Sequence, residues 1–236
     1  ADMVMLPEMF ITGYQPQDMV MKPAFVRRAA AAIEALAADC ADGPILGVGG
    51  PMAEDDKLHN TYFILRGGKV HATTRKYFLP NFNVFDEVRV FSRGAMQGPW
   101  DAGALRIGTP VCEDAWYPDV CEAMADSGAD LLLVPNGSPY FRDKREVRMN
   151  QMVARVTECD LPLVYLNTVG GQDDQVFDGG SFVLNRHGAL VVQLPHFEEA
   201  IAEVEFTRSA EGWQAEAGLM AHVPDSLEED YNAMVL

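Results

Sequence analysis

Short apolar runs recur along the whole chain, each ended by glycine, proline or an amphipathic stretch. Residues 3–6, 45–48, 104–111, 131–134 and 163–169 are of strand length and rich in β-formers or Leu. Between them lie stretches of helical character. Residues 23–40 are alanine-rich and stopped by Asp42-Gly43-Pro44, Pro118 opens a helix running to about Asp126, and residues 144–158 form another. Val147, Met152, Val153 and Val156 give that last helix an apolar face. Two hairpins are expected, 60–65 with 70–75 around Gly67-Gly68, and 181–184 with 190–194; residues 200–206 add a strand. Strands alternating with helices specify an α/β fold, in which sheets are covered by helices.

With 236 residues, 48% of them hydrophobic, the chain can bury a large core within one domain. Its 18 basic and 35 acidic residues leave a formal charge of −17. Such a surface repels phosphate backbones and anionic lipid, so neither nucleic acid nor a membrane is expected as partner. No apolar run reaches the ~18 residues of a spanning helix, and no charged-then-apolar leader opens the sequence. Four cysteines without a CxxC pair argue against zinc and a disulfide framework, and fit reduced thiols in a cytoplasmic protein.

The search for chemistry narrows to one thiol. Cys112 is flanked by Pro110 and Asp114, so the Gly-x-[Ser/Cys]-x-Gly elbow is absent. The five histidines show no HExxH spacing and read as surface or strand residues. Cys112 itself falls at the end of an expected strand, close before a helix, where a thiolate gains stabilisation. Cys40, Cys121 and Cys159 fall within or at the ends of helices and read as packing residues. Glu8 follows the first apolar strand, and Lys76 ends a hairpin strand beside aromatics.

Glu, Lys and Cys in that order, each at a strand end, resemble the Glu-Lys-Cys triad of the nitrilase superfamily. The segment Glu8-Met9-Phe10-Ile11-Thr12-Gly13-Tyr14-Gln15-Pro16 is similar to the first motif of the glutaminase domains of glutamine-dependent NAD synthetases. Lys76-Tyr77-Phe78-Leu79-Pro80-Asn81-Phe82 through Glu87 resembles their second motif, and Cys112-Glu113-Asp114-Ala115-Trp116 their third. The resemblance implies a four-layer α-β-β-α sandwich that pairs into homo-oligomers. It further implies Cys112 as nucleophile, Glu8 as general base, and Lys76 with the Glu113 N–H as oxyanion donors. Tyr14, Phe82, Phe85, Glu87, Glu113, Trp116, Ser138 and Lys144 match substrate-contacting positions of that family. Glutamine is the implied substrate, with no metal or cofactor in this domain.

The family's ATP-dependent synthetase domain carries a Ser-Gly-Gly-x-Asp-Ser loop that does not occur here. ATP and magnesium are therefore expected only for a synthetase domain of the same polypeptide, outside this chain. Residues 1–225 are expected to form the glutaminase unit, without the family's first strand and helix, and 226–236 to begin a linker. Two other readings stay open: a stand-alone amidase of the same superfamily acting on another small amide, and a catalytically silent module that scaffolds a synthetase.

Overall fold

The computed structural model describes all 236 residues. Its first sheet comprises β1 (Met3–Met5), β2 (Ile45–Glu54), β3 (Lys57–Arg66) and β4 (Lys69–Arg75), paired in that order, with helix α1 (Pro23–Asp39) linking β1 to β2. A short helix α2 (Glu87–Val90) follows. The chain then adds β5 (Trp100–Asp101), β6 (Arg106–Gly108), helix α3 (Pro118–Asp126), β7 (Leu131–Asn136), helix α4 (Lys144–Cys159) and β8 (Leu163–Asn167). A small hairpin of β9 (Val169–Gln172) and β10 (Gln175–Asp178) precedes β11 (Phe182–Leu184) and β12 (Leu190–Gln193). The second sheet has the order β12-β11-β8-β7-β6-β5. The hairpin β13 (Phe206–Ser209) and β14 (Gly212–Ala215) and helix α5 (Ser226–Val235) complete the chain.

Alternating side chains show why both sheets are covered on both faces. On β3, Tyr62 and Ile64 face one cluster, which also holds Ile107, Val111, Leu131 and Leu133. Its neighbours Phe63 and Leu65 face another, with Leu46, Val48 and Ile33 and Ala37 of α1. On β7, Leu132 and Val134 pack with Val120, Met124, Met152 and Val156 of α3 and α4. The layers therefore run α1, first sheet, second sheet, α3 with α4. This is the expected α-β-β-α sandwich, and burial on both faces explains the unbroken apolar runs.

Several local expectations are corrected. The run 104–111 forms ladder pairs only over Arg106–Gly108, leaving 109–111 free to turn. Residues 200–205 form no strand; β13 begins at Phe206 and pairs with β14. Val147 is exposed on α4, whose inward face is completed instead by the buried Arg148 and Arg155. The strand expected over 45–48 extends to Glu54 and pairs with β3 as a hairpin, and the run 163–169 divides between β8 and the β9–β10 hairpin. Asp55 and Asp56 turn the β2–β3 hairpin with positive φ at both positions, the geometry of a tight primed turn.

The glycines of β2 serve an approach. A Cβ on Gly49 would lie 2.2 Å from the Met9 nitrogen and 2.7 Å from the Glu8 Cα. Only glycine lets the segment after β1 lie against the sheet, and that contact seats Glu8.

Candidate active site

The three strand-end residues converge where both sheets meet. Glu8 follows β1, Lys76 follows β4 and Cys112 follows the unpaired stretch after β6; all three are buried. The Lys76 Nζ lies 2.8 Å from Glu8 Oε1 and 2.9 Å from Glu87 Oε1. Asn60 Nδ2 donates to the same two oxygens at 2.7 and 3.2 Å. The Tyr14 hydroxyl donates to Glu87 Oε1 at 2.8 Å, and the Gly137 N–H to Glu8 Oε2 at 2.8 Å. Two carboxylates thus share one ammonium, which retains a third N–H for another acceptor.

Burial fixes the protonation of this cluster. For Lys76, burial opposes the charge, but Glu8 and Glu87 outweigh it and hold the ammonium well above its ordinary range. Burial raises the Glu87 carboxyl, Lys76 pulling against it. Burial and the Glu8 charge push the Cys112 thiol well above its ordinary value, against the pull of Lys76. Any thiolate stabilisation from the helix start is thus opposed by burial and by Glu8, which fits the expectation that Cys112 needs a base to release its proton. Its φ of 50° places it in the left-handed region, uncommon for a residue with a Cβ, at the first position of the 3-10 turn Cys112–Trp116.

The expected substrate-contacting residues divide. Tyr14 and Glu87 belong to the buried cluster. The Phe85 ring stands 6.3 Å from Tyr14 and 5.4 Å from Phe82, which is half exposed at the rim. Lys144 is buried at the start of α4, its Nζ 4.1 Å from the Trp116 ring and 4.5 Å from that of Phe141. It forms no ion pair with a carboxylate, and burial, with Arg148, lowers its pKa. Glu113 is nearby and largely buried, its carboxyl raised by burial against the charges of Lys76 and Lys144. Ser138 is present but occupied, its Oγ accepting from Arg148 Nε at 3.2 Å. A pocket of about 180 Å³ reaches Glu8 between Phe10, Tyr14, Gln172 and Phe177.

Other participants escaped sequence reasoning. Asn60 lies within β3, and Gly137 acts through its backbone alone. Arg148 donates to Ser138 O at 2.8 Å and Pro139 O at 3.1 Å, and pairs with Asp178 at 2.7 Å, so it grips the segment beside Gly137. His196, one of the five histidines, is buried against Asp178 at 3.5 Å rather than at the surface. Only Asn60 left a signal, an amide at the head of a strand that otherwise reads as core.

Comparison with known proteins gives a consistent picture. The carbon-nitrogen hydrolase family matches residues 1–214. A glutamine-dependent NAD(+) synthetase of Rhodobacter capsulatus is 53% identical over 236 residues, covering 100% of this chain and 43% of that protein. One from Xylella fastidiosa is 36% identical over 89% of this chain and 38% of its own length. Among solved structures, the glutamine-dependent NAD+ synthetase of Acinetobacter baumannii superposes with a TM-score of 0.92 at 29% identity, over 100% of this chain and 44% of that one. An amidase of Nesterenkonia sp. AN1, whose variant holds the acetamide moiety of fluoroacetamide on its active-site cysteine, gives 0.72 at 28% identity over 83% of this chain and 73% of that one. The chain thus spans less than half the length of the synthetases it matches.

Proposed function

The chain belongs to the carbon-nitrogen hydrolase family, and on that premise we propose that it hydrolyses the side-chain amide of glutamine to glutamate and ammonia. The observation that carries the reading is the buried Glu8–Lys76–Glu87 cluster, with the buried Cys112 beside it, whose thiol burial pushes above its ordinary value. A thiol that cannot ionise alone is placed with a carboxylate able to take its proton and an ammonium able to hold a developing oxyanion.

Glu8 accepts the Cys112 proton as Sγ bonds to the amide carbon. The carbonyl oxygen gains charge against the third Lys76 N–H and the Glu113 N–H, which makes no backbone hydrogen bond. Collapse of the tetrahedral adduct breaks the C–N bond, Glu8 returns its proton to nitrogen, and ammonia leaves a γ-glutamyl thioester. Water then adds as Glu8 takes one of its protons. The C–S bond breaks, glutamate departs, and the proton returns to sulfur. Glu87 and Asn60 keep Lys76 and Glu8 in register; Tyr14 holds Glu87.

Lys144 is a buried cation without a carboxylate partner, which suits the α-carboxylate of the substrate, with Glu113 facing its ammonium. Trp116, Phe85 and Phe82 wall the carbon chain, and Ser138, tied to Asn167 and Arg148, holds the loop beside Gly137. A charged hydrogen bond contributes roughly 1.5–3 kcal/mol. Lys144→Met should therefore raise the KM for glutamine about 10- to 100-fold and leave kcat within ~3-fold. A kcat collapse at unchanged KM would place Lys144 in the chemistry instead.

The relatives' printed function extends the proposal: the ammonia serves NAD synthesis in a synthetase domain of the same polypeptide, where ATP and magnesium act. Homo-oligomerisation and a reducing, cytoplasmic setting complete the reading, the latter supported by four unpaired thiols. The deciding experiment is mass spectrometry after exposure to a thiol-reactive glutamine analogue. Cys112 should be labelled, glutamine should protect it, and glutamate release should fall in step. Labelling protected only by another small amide would favour a stand-alone amidase, and an inert Cys112 a silent scaffold.

A further inference from the structure

Asp114 stands two residues past the nucleophile and lies outside the ring of charges around Lys76. Its carboxylate is 1% exposed and spans two loops. Oδ1 accepts from the Tyr77 N–H at 3.0 Å and the Phe78 N–H at 2.7 Å. Oδ2 accepts from the Val111 N–H at 3.1 Å, and the Asp114 N–H donates back to Val111 O at 3.0 Å. Tyr77 directly follows Lys76, and Val111 directly precedes Cys112. One carboxylate therefore satisfies three buried main-chain donors that flank the two reacting residues.

The fold leaves that tie to Asp114. Lys76 is anchored on its other side, its N–H donating to Asn60 O and its carbonyl accepting from the Gly94 N–H, both at 2.9 Å. The Cys112 turn has no such anchor, because the β6 ladder stops at Gly108. A cysteine at φ 50° persists only where its surroundings over-determine it. The carboxylate meets that need and sets the turn against the lysine loop.

We propose that Asp114 is a positioning residue that fixes the Cys112 thiol relative to the Lys76 ammonium. The proposal deepens the thioester chemistry above and rests on it for its effect on turnover. Asparagine has the same shape, but wherever its amide NH2 lies it meets an N–H donor, so Asp114→Asn should fold with the cradle loosened. Misplacement of reacting groups by about 1 Å costs roughly 100-fold. The expected result is a kcat lower by ~100-fold with KM within ~3-fold, the split of a lost transition-state geometry.

The decisive reading is alkylation of Cys112 by iodoacetamide, followed on its own peptide by mass spectrometry so that Cys40 and Cys159 do not contribute. Asp114→Asn should slow it about tenfold in the native background, since the thiol must be presented to its base, but less than ~3-fold when Lys76→Met is already present. Equal slowing in both backgrounds overturns the proposal, because Asp114 would then act independently of Lys76. An unaltered kcat overturns it as well. If glutamine proves not to be the substrate, the alkylation cycle still reads the positioning, so the two failures separate. Should Asp114→Asn not fold, Asp114→Ser, with one hydroxyl for three donors, takes the same measurements and faces the same two outcomes.

Discussion

Replacing Cys112 by alanine is expected to reduce glutamate release to the uncatalysed background, a loss of at least ~10⁴-fold, because no thioester can form. The substitution removes one atom from a site that is 3% exposed, so the fold should survive with a cost of about 1 kcal/mol. Cys121 supplies the matched control. It is 0% exposed within the cluster of α3, α4 and the second sheet, and Lys76, Glu8, Glu87, Asn60 and Tyr14 are not among that cluster's residues. Cys121→Ala should lower Tm by a similar amount and leave turnover within a few-fold. Steady-state glutamate release and thermal melts on both variants decide the matter. Turnover surviving in Cys112→Ala, or lost equally in both, would remove Cys112 from the chemistry.

The contrast between those cysteines shows what was legible in the sequence. Glu8, Lys76 and Cys112 stand out because each follows a strand, Glu8 and Cys112 after apolar runs and Lys76 after a hairpin strand and before aromatics. The layered fold was legible too: strands buried on both faces must be continuous apolar runs, as residues 131–134 are. What stayed hidden acts through geometry that residue type does not encode. Gly137 contributes only an N–H to Glu8. Asn60 occupies a position on β3 that alternation assigns simply to a buried face. Asp114 stands in the motif after Cys112, but nothing in its residue type shows that its carboxylate takes three donors from two separate loops. The rise of the Cys112 thiol was hidden too, because burial and the nearness of Glu8 are consequences of the whole fold. Gly49 is in a strand because of what presses against it, not because of its own preference.

Lys76→Met is the second variant with a large expected effect, and it tests charge apart from shape. Methionine fills most of the stem's volume, so packing is largely kept while the ammonium is lost. One oxyanion donor is worth roughly 3–4 kcal/mol, so kcat should fall by about 10²- to 10³-fold with KM little changed. If KM rises instead and kcat holds, Lys76 serves binding and the oxyanion assignment is wrong. Stability gives an independent reading. Without Lys76, Glu8 and Glu87 are two buried carboxylates held together only by Asn60, and breaking such a pairing costs roughly 3–5 kcal/mol. The sign of the pH dependence follows from linkage. In the native chain Lys76 is held well above 10.5, so its contribution is complete below that value and is lost as pH rises from there through its raised folded value. Glu87 already sits above its ordinary 4.5 through burial, and removing Lys76 takes away the charge that pulls it down. In Lys76→Met the folded state therefore binds more protons than the unfolded chain at pH above 4.5, and each rise in pH through that window destabilises it. The Tm of Lys76→Met should fall more steeply between about pH 5 and 8 than that of the native protein, with the deficit narrowing on the acid side. A deficit that does not change with pH would mean that Glu87 finds another counter-charge, and that Lys76 is not what pulls its carboxyl down.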